Sequence, residues 1–431
     1  MKNTFECKCG KTHNALIDSY IVDKQAIRRI PEYVNAYKAT RCFVLSDENT
    51  YRAAGIQVEE ILNEAGIPYS AYRFGSEQIE PNEHSVGSVM MHYDYRCDFI
   101  IAVGSGVLND IGKILSCTTK NPYMIVATAP SMDGYASATS SMTRDGLKIS
   151  LPTKCANVII GDLDVLCQAP LHMMKAGLGD MLAKYISICE WRISNLITGE
   201  YYCEEIAKLI RSALQHCVLH ADGLLNRDPN AVKAVFEGLV IGGVAMNYAG
   251  LSRPASGVEH YISHVLDMRG VESGTPVDLH GIQCAIGTRI ALSLYKKIKT
   301  ITPSKEIAHV YVENFSWEQW QEELRQFLGK GAESMIALEA KERKYDITAH
   351  HARLDIILQN WDAIINIINE ELPSCEALDE ILDLIEAPKT LEEIGISESL
   401  LPTIFKATKD IRDKYVLSRF AWDLGIIDKL I

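Results

Sequence analysis

The sequence has no block of Lys and Arg, no low-complexity segment, no repeat of fixed period and no apolar run long enough to cross a bilayer. Each absence excludes a class of function. Lys and Arg number 43 against 56 Asp and Glu, a formal net charge of −13. A surface that acidic repels phosphate backbones, so nucleic acid is not expected as a partner. The most apolar window, LVIGGVAMNYAGL (239–251), falls short of the ~20 residues that span a membrane and is expected to be a buried core helix. MKNTFECKCGKTH at the start lacks the apolar stretch of a signal peptide. Together these features predict a soluble, cytoplasmic protein.

What is present is a long chain rich in core residues, 431 residues at 47% hydrophobic. A single core seldom serves more than roughly 250 residues, so two domains are expected. The 12 cysteines lie mostly inside apolar runs (RCFVL, CDFII, QHCVL), where a reduced thiol acts as a small hydrophobe. That usage fits a reducing compartment rather than a disulfide scaffold. CKCGKTH is the exception: Cys7, Cys9 and His13 have the spacing of metal ligands. No second CxxC or His pair completes a set of four, and a strand and turn is expected there.

Up to about residue 165, short continuous apolar runs alternate with helical patterns. RCFVLSD (41–47), PYSAYRF (68–74), DFIIAVGSG (98–106), YMIVATAPS (123–131) and NVIIGDLDVL (157–166) are the expected strands. Their apolar continuity is that of a parallel sheet covered on both faces. Helices are expected over 50–66 and 109–120. From about residue 170 strand signals vanish, and apolar residues recur at i, i+3, i+4 and i+7 through EEIAKLIRSALQHCVLHA, WEQWQEELRQFLGK and RLDIILQNWDAIINIINEEL. The expectation is an α/β N-terminal Rossmann-like nucleotide-binding domain (1–168) followed by an all-α C-terminal domain (169–431) that carries metal and substrate.

DFIIAVGSGVLNDIGK passes from a strand through Gly104 and Gly106 into a helix. Glycines let the backbone approach a phosphate, and the first helical amides carry partial positive charge towards it. Asn109 stands where a full GxGxxG pattern has its third glycine. Asp47, at the end of RCFVLSD, suits a ribose 2′-OH and repels a 2′-phosphate, or else is a solvated turn residue. The segment 127–143 is expected to be a polar loop. Its Thr128, Ser131 and Ser137 can donate to phosphate or nicotinamide amide oxygens, and it contains one acid, Asp133.

His260 and His264 in GVEHYISHVLD are i, i+4 on one helical face. His280 opens a further helix, and Asp180 in KAGLGDMLAKY is flanked by glycine. One carboxylate and two imidazoles leave open positions on a divalent cation, as catalytic sites do, although satisfied core histidines give the same sequence. Zn, Ni and Fe(II) all suit such ligands.

At these residues the sequence resembles the iron-containing alcohol dehydrogenase, glycerol dehydrogenase and dehydroquinate synthase superfamily. Within it, the chain closely resembles the sn-glycerol-1-phosphate dehydrogenases of the bacterial, arabinose-operon-associated type. The matching stretches are SDENTYRAAG, GSGVLNDIGK, ATAPSMDGYAS, AGLGDMLAKY, SRPASGVEHYISH, LHGIQCAIGT and KYVLSRFAWDLGII. The resemblance implies a dehydroquinate synthase-like fold and metal-dependent, reversible reduction of dihydroxyacetone phosphate by NADH or NADPH, in phospholipid metabolism. It implies that Asp47 contacts the adenosine ribose. Gly104, Gly106, Val107, Leu108, Asn109 and Asp110 would receive the pyrophosphate, and Thr128, Ser131 and Ser137 would line the nicotinamide side. Asp180, His260 and His280 would bind one divalent metal ion. Asp133, Asp180 and His264 would meet the substrate, Asp133 or His264 acting as proton relay. Arg253 and Lys184 are the candidates for holding the substrate phosphate, and a homodimer or higher homo-oligomer is implied. The rival readings are a dehydroquinate synthase-like cyclase, whose metal acid is Glu rather than Asp, a polyol dehydrogenase without phosphate requirement, and a non-catalytic binding protein.

Overall fold

The apolar runs form the interior of a parallel sheet in a computed structural model, which describes residues 4–75, 79–144 and 147–431. A hairpin of β1 (Thr4–Glu6) and β2 (Thr12–Asn14) comes first. Then β3 (Ser19–Asp23), β4 (Cys42–Asp47), β5 (Tyr69–Phe74), β6 (Phe99–Gly104) and β7 (Tyr123–Ala127) follow. The hairpin of β8 (Thr139–Arg144) and β9 (Leu147–Pro152) precedes the last strand, β10 (Val158–Asp162). Six strands pair in the order β3-β10-β7-β6-β4-β5, all parallel. Every residue of β6, β7 and β10 is buried, which requires cover on both faces and explains their unbroken hydrophobicity.

From β4 the chain goes outward to β5 and then returns to the other flank of β4 as β6. The strand order therefore reverses between β4 and β6, whose C-terminal ends carry Asp47 and Gly104. Ligands of open α/β sheets sit outside such a reversal, because the flanking crossovers leave a crevice there.

Two features depart from expectation. The edge strand β3 was absent from it: SYIVD is short and half-exposed, and an edge position demands little hydrophobicity. The polar segment 127–143 is not one loop. It contains a helical turn, Asp133–Ala136, and then β8, whose alternating burial is the period-2 pattern of a one-sided hairpin.

The chain divides into two compact units, Met1–Met181 with Lys208–Leu251 and Leu182–Ala207 with Ser252–Ile431. The first holds the sheet and the helix Pro229–Ala249. That helix is 21 residues long, so by length and composition it can cross a membrane, contrary to the reading of 239–251 as too short; 72% of its most apolar window is buried. Every described element of the second unit is helical.

Candidate functional site

In the first unit the glycine turn opens the helix Gly106–Thr119, and no side chain caps its N-terminus. The first ladder bond runs from the Asn109 amide to the Ser105 carbonyl at 2.9 Å. The amides of Gly106, Val107 and Leu108 therefore have no intrahelical acceptor, the arrangement that binds anions. The two glycines differ in cause. A Cβ on Gly104 would lie 2.5 Å from the Leu108 side chain, whereas one on Gly106 would meet only Met132 at 3.7 Å. Packing explains Gly104, whereas among the described residues no close contact requires a glycine at position 106.

Asn109 is buried; its Nδ2 donates to the Gly134 carbonyl at 3.0 Å, and its Oδ1 accepts from the Tyr123 hydroxyl at 3.1 Å. It thus anchors the 133–136 turn from the position of the missing glycine. Burial pushes the Asp110 carboxyl upward against the opposing effect of Lys113. Lys113, which sequence reasoning passed over, is buried and donates to the carbonyls of Gly134 (2.7 Å) and Thr139 (2.9 Å). Its spacing of i+3 from Asp110 was the available signal.

Thr128, Ser131 and Ser137 are buried, and the Thr128 amide and the two serine hydroxyls already have partners. The Thr128 amide donates to Gly104 at 3.1 Å. Ser131 Oγ lies 2.6 Å from Ser105 Oγ, and Ser137 Oγ lies 2.9 Å from Thr139 Oγ1. Asp47 caps a short helix: its Oδ1 accepts from the Thr50 amide at 2.7 Å, so one carboxylate oxygen is committed and the other has no hydrogen bond among the described residues.

Asp180 is fully buried on the helix Leu171–Leu182, where its Oδ2 accepts from the Asp133 amide at 2.9 Å. The neighbouring glycine makes this bond reachable. A Cβ on Gly177 would stand 1.9 Å from the Pro130 carbonyl oxygen, so helix and 130–134 segment approach as closely as backbones allow. Gly177→Ala should push the two apart, lower stability by roughly 1–3 kcal/mol and reduce turnover with it. Thermal melts and initial rates on one preparation check this; a wild-type melting point would show that the approach is not required.

In the second unit, the helices Val258–Ser273 and His280–Ile298 bring the imidazoles of His260 and His280 to 5.0 Å between ring centroids. Two contacts set that approach. A Cβ on Gly287 would lie 2.7 Å from the Glu259 carbonyl oxygen, and Gln283 Nε2 donates to Asp267 Oδ1 at 3.1 Å. His260 Nδ1 stands 2.8 Å from Glu259 Oε1. A carboxylate only accepts, so Nδ1 carries the proton and Nε2 presents its lone pair, the tautomer a metal needs. Ser263 Oγ holds His280 Nδ1 at 2.8 Å.

Cys284, one turn beyond His280, joins them: ligand atoms of His260, His280 and Cys284 all lie within 4.8 Å of one another. Burial alone raises its thiol, but the two imidazoles outweigh it and the net shift is downward. Sequence reasoning treated this cysteine as core, although its i+4 spacing from His280 was the available sign. His264 is half-buried, its ring stacked at 5.8 Å from that of His280.

The start of the His260 helix rests on buried acids. Glu190 accepts from the amides of Val258 (2.9 Å) and Leu417 (2.8 Å), and burial, with Glu259 nearby, pushes its carboxyl up to about 8. The two cations expected to hold phosphate also serve this region. Arg253 is buried against Glu200, its Nη2 at 2.6 Å from Oε2, and donates to Ser194 at 3.0 Å. These contacts tie Arg253 to the Glu200 segment and give it a scaffold role. Lys184 donates to the Ala255 carbonyl at 3.1 Å, and Lys414 to that of Ser256 at 2.9 Å. Burial, reinforced by Arg253, lowers Lys414 to about 7.

The family model described as iron-containing alcohol dehydrogenase matches residues 21–170. A glycerol dehydrogenase structure from Schizosaccharomyces pombe aligns with a TM-score of 0.61 at 17% identity, over 96% of this chain and 89% of that one. An alcohol dehydrogenase from an archaeal halo-thermophile of a Red Sea brine pool aligns with 0.60 at 14%, over 100% of each. The fold is thus that of the iron-containing alcohol dehydrogenases. Among curated relatives, the NAD(P)+ glycerol-1-phosphate dehydrogenase of Halalkalibacterium halodurans is 34% identical over 295 residues, 68% of this chain and 74% of that one. That of Bacillus subtilis is 32% identical over 301 residues, 69% and 76%. The chain belongs to the glycerol-1-phosphate dehydrogenase family.

Proposed function

We propose that this chain is an oxidoreductase that reversibly reduces dihydroxyacetone phosphate to sn-glycerol 1-phosphate with NADH or NADPH and one divalent metal ion. The observation that carries the reading is His260, whose Nδ1 is held by Glu259 so that Nε2 faces its neighbours as a lone pair. Family membership supplies the substrate and cofactor. We assign Asp180, His260 and His280 as metal ligands; Asp rather than Glu at 180 favours the dehydrogenase over the cyclase. Zn, Ni and Fe(II) are all compatible with these donors.

The bound metal would polarise the C2 carbonyl while the nicotinamide supplies hydride. The protein's own groups do the rest. Amides of Gly106, Val107 and Leu108, on a turn that extends through Asn109 and Asp110, receive the pyrophosphate. Asp47 takes the ribose, and Thr128, Ser131 and Ser137 border the nicotinamide. His264 or Asp133 passes the proton to the C2 oxygen, and Asp133 and Asp180 orient the substrate. Lys184 and Lys414, on the carbonyls just before the His260 helix, are the cations we propose for the phosphate. A dianion there would raise the depressed Lys414 ammonium. The enzyme would act in the cytoplasm, as a homodimer or higher oligomer, feeding phospholipid synthesis.

The test is a stereospecific assay of the product from dihydroxyacetone phosphate, with and without chelator. Equal turnover of unphosphorylated dihydroxyacetone would overturn the substrate, and phosphate release without net cofactor oxidation would point to the cyclase. Cofactor choice has its own expected result. Asp47→Ser should remove repulsion of a 2′-phosphate and raise the NADPH/NADH ratio of kcat/KM roughly tenfold, about 1.4 kcal/mol. Since Asp47 also caps a helix, a melting curve accompanies the kinetics. An unchanged ratio in a folded variant would place Asp47 away from the ribose.

A further inference from the structure

The hairpin at the start of the chain has the chemistry of a second metal site. Phe5 pairs with His13 and Glu6 with Thr12, which puts Cys7, Lys8, Cys9 and Gly10 in a tight connection. The Cys7 amide donates to the Lys11 carbonyl at 3.0 Å and the Gly10 amide to that of Cys7 at 3.0 Å. Gly10 has φ +85°, a conformation that suits glycine. The turn presents both thiols of Cys7 and Cys9 on the side where His13 lies.

His13 is fully buried, its ring 5.0 Å from that of Phe5 and 6.0 Å from that of Tyr248. Its Nδ1 lies 2.7 Å from the Tyr248 carbonyl oxygen. A carbonyl only accepts, so Nδ1 carries the proton and Nε2 is the lone-pair nitrogen. That is how protein scaffolds prepare a histidine for a metal. Nε2 is 3.3 Å from Cys9 Sγ, close to the ~3.5 Å edge between S and N ligands of a tetrahedral zinc ion with ordinary bond lengths. Ligand atoms of Cys7, Cys9 and His13 all lie within 4.8 Å of one another.

We propose that Cys7, Cys9 and His13 supply three ligands to a structural ion of the zinc class, distinct from the ion assigned to His260 and His280. Two thiolates and an imidazole select a borderline-soft divalent ion over magnesium or calcium. Binding releases the two thiol protons to solvent. The ion would tie the hairpin to the end of the helix Pro229–Ala249 through His13 and Tyr248. The rival is a thiol-to-imidazole hydrogen bond from Cys9, which needs no metal and leaves Cys7 uninvolved.

The experiment uses the full-length protein and its His280→Ala variant, purified with zinc and dialysed. Wild type should hold two equivalents and His280→Ala one, and Cys7→Ser/Cys9→Ser in the His280→Ala background none. Cobalt(II) in His280→Ala should give thiolate-to-metal charge-transfer absorption in the near ultraviolet, lost in the triple variant. Should that variant not fold, alkylation of the wild-type protein decides: chelator should expose Cys7 and Cys9 to iodoacetamide, as mapped by mass spectrometry. Equal alkylation with and without chelator, or a His280→Ala protein without zinc, overturns the proposal. A single equivalent in wild type that survives His280→Ala supports this site and counts against the His260/His280 assignment alone.

Discussion

His260→Ala and His280→Ala should each lose bound metal and turnover together while keeping the fold. Each imidazole sits on its own helix, and these helices are held by contacts that the substitutions leave intact: Gly287 against Glu259 and Gln283 to Asp267. Losing a metal ligand removes polarisation of the carbonyl, several kcal/mol of transition-state stabilisation, so kcat/KM should fall on the order of 10³-fold or more. Glu259→Gln makes the sharper companion. It keeps both ligands but removes the carboxylate that fixes the His260 tautomer at 2.8 Å, and should weaken metal affinity roughly 10–100-fold. Metal content by elemental analysis, circular dichroism and rates belong on the same preparations. A folded variant of either histidine with stoichiometric metal at this site would remove that residue from the ligand set.

His264→Ala should separate metal binding from catalysis. Its ring stacks on that of His280 at 5.8 Å, yet Asp180, His260 and His280 already complete the proposed ligands. Metal and NADH binding should persist while the rate falls by roughly 10²–10⁴, the usual worth of a positioned acid or base. A loss shared by kcat and kcat/KM would mark an interaction made mainly in the transition state. Loss of the metal would make His264 a ligand instead. Turnover near wild type would leave it as packing against His280.

The legible parts of this protein were those fixed by local rules. Continuous apolar runs could only be strands buried on both faces, and β4, β6, β7 and β10 lie where those runs are. The strand-turn-helix at Gly104–Gly106 was readable because an apolar run passes through two closely spaced glycines into a helical pattern. β3 escaped notice because an edge strand needs little hydrophobicity. The β8–β9 hairpin was hidden because TSSMTR has the composition of a loop and shows its alternation only once one face is buried. Cys284 was taken for core because a buried thiol has the same neighbours in sequence whether or not imidazoles surround it.

The sequence by itself determined the α/β and all-helical textures, the strand-turn-helix at Gly104–Gly106 and the shared face of His260 and His264, since strand period, helix period and glycine placement act over a few residues. Tertiary structure alone decided which nitrogen of His260 and His13 carries the proton, because that depends on whether the partner is a carboxylate or a carbonyl. It alone bound Arg253 to Glu200, 53 residues away. It alone explained Gly177 by the Pro130 carbonyl at its side. Apart from His260, whose partner is its neighbour in sequence, these outcomes depend on burial between distant segments, where an unpaired charge or a misplaced Cβ costs most.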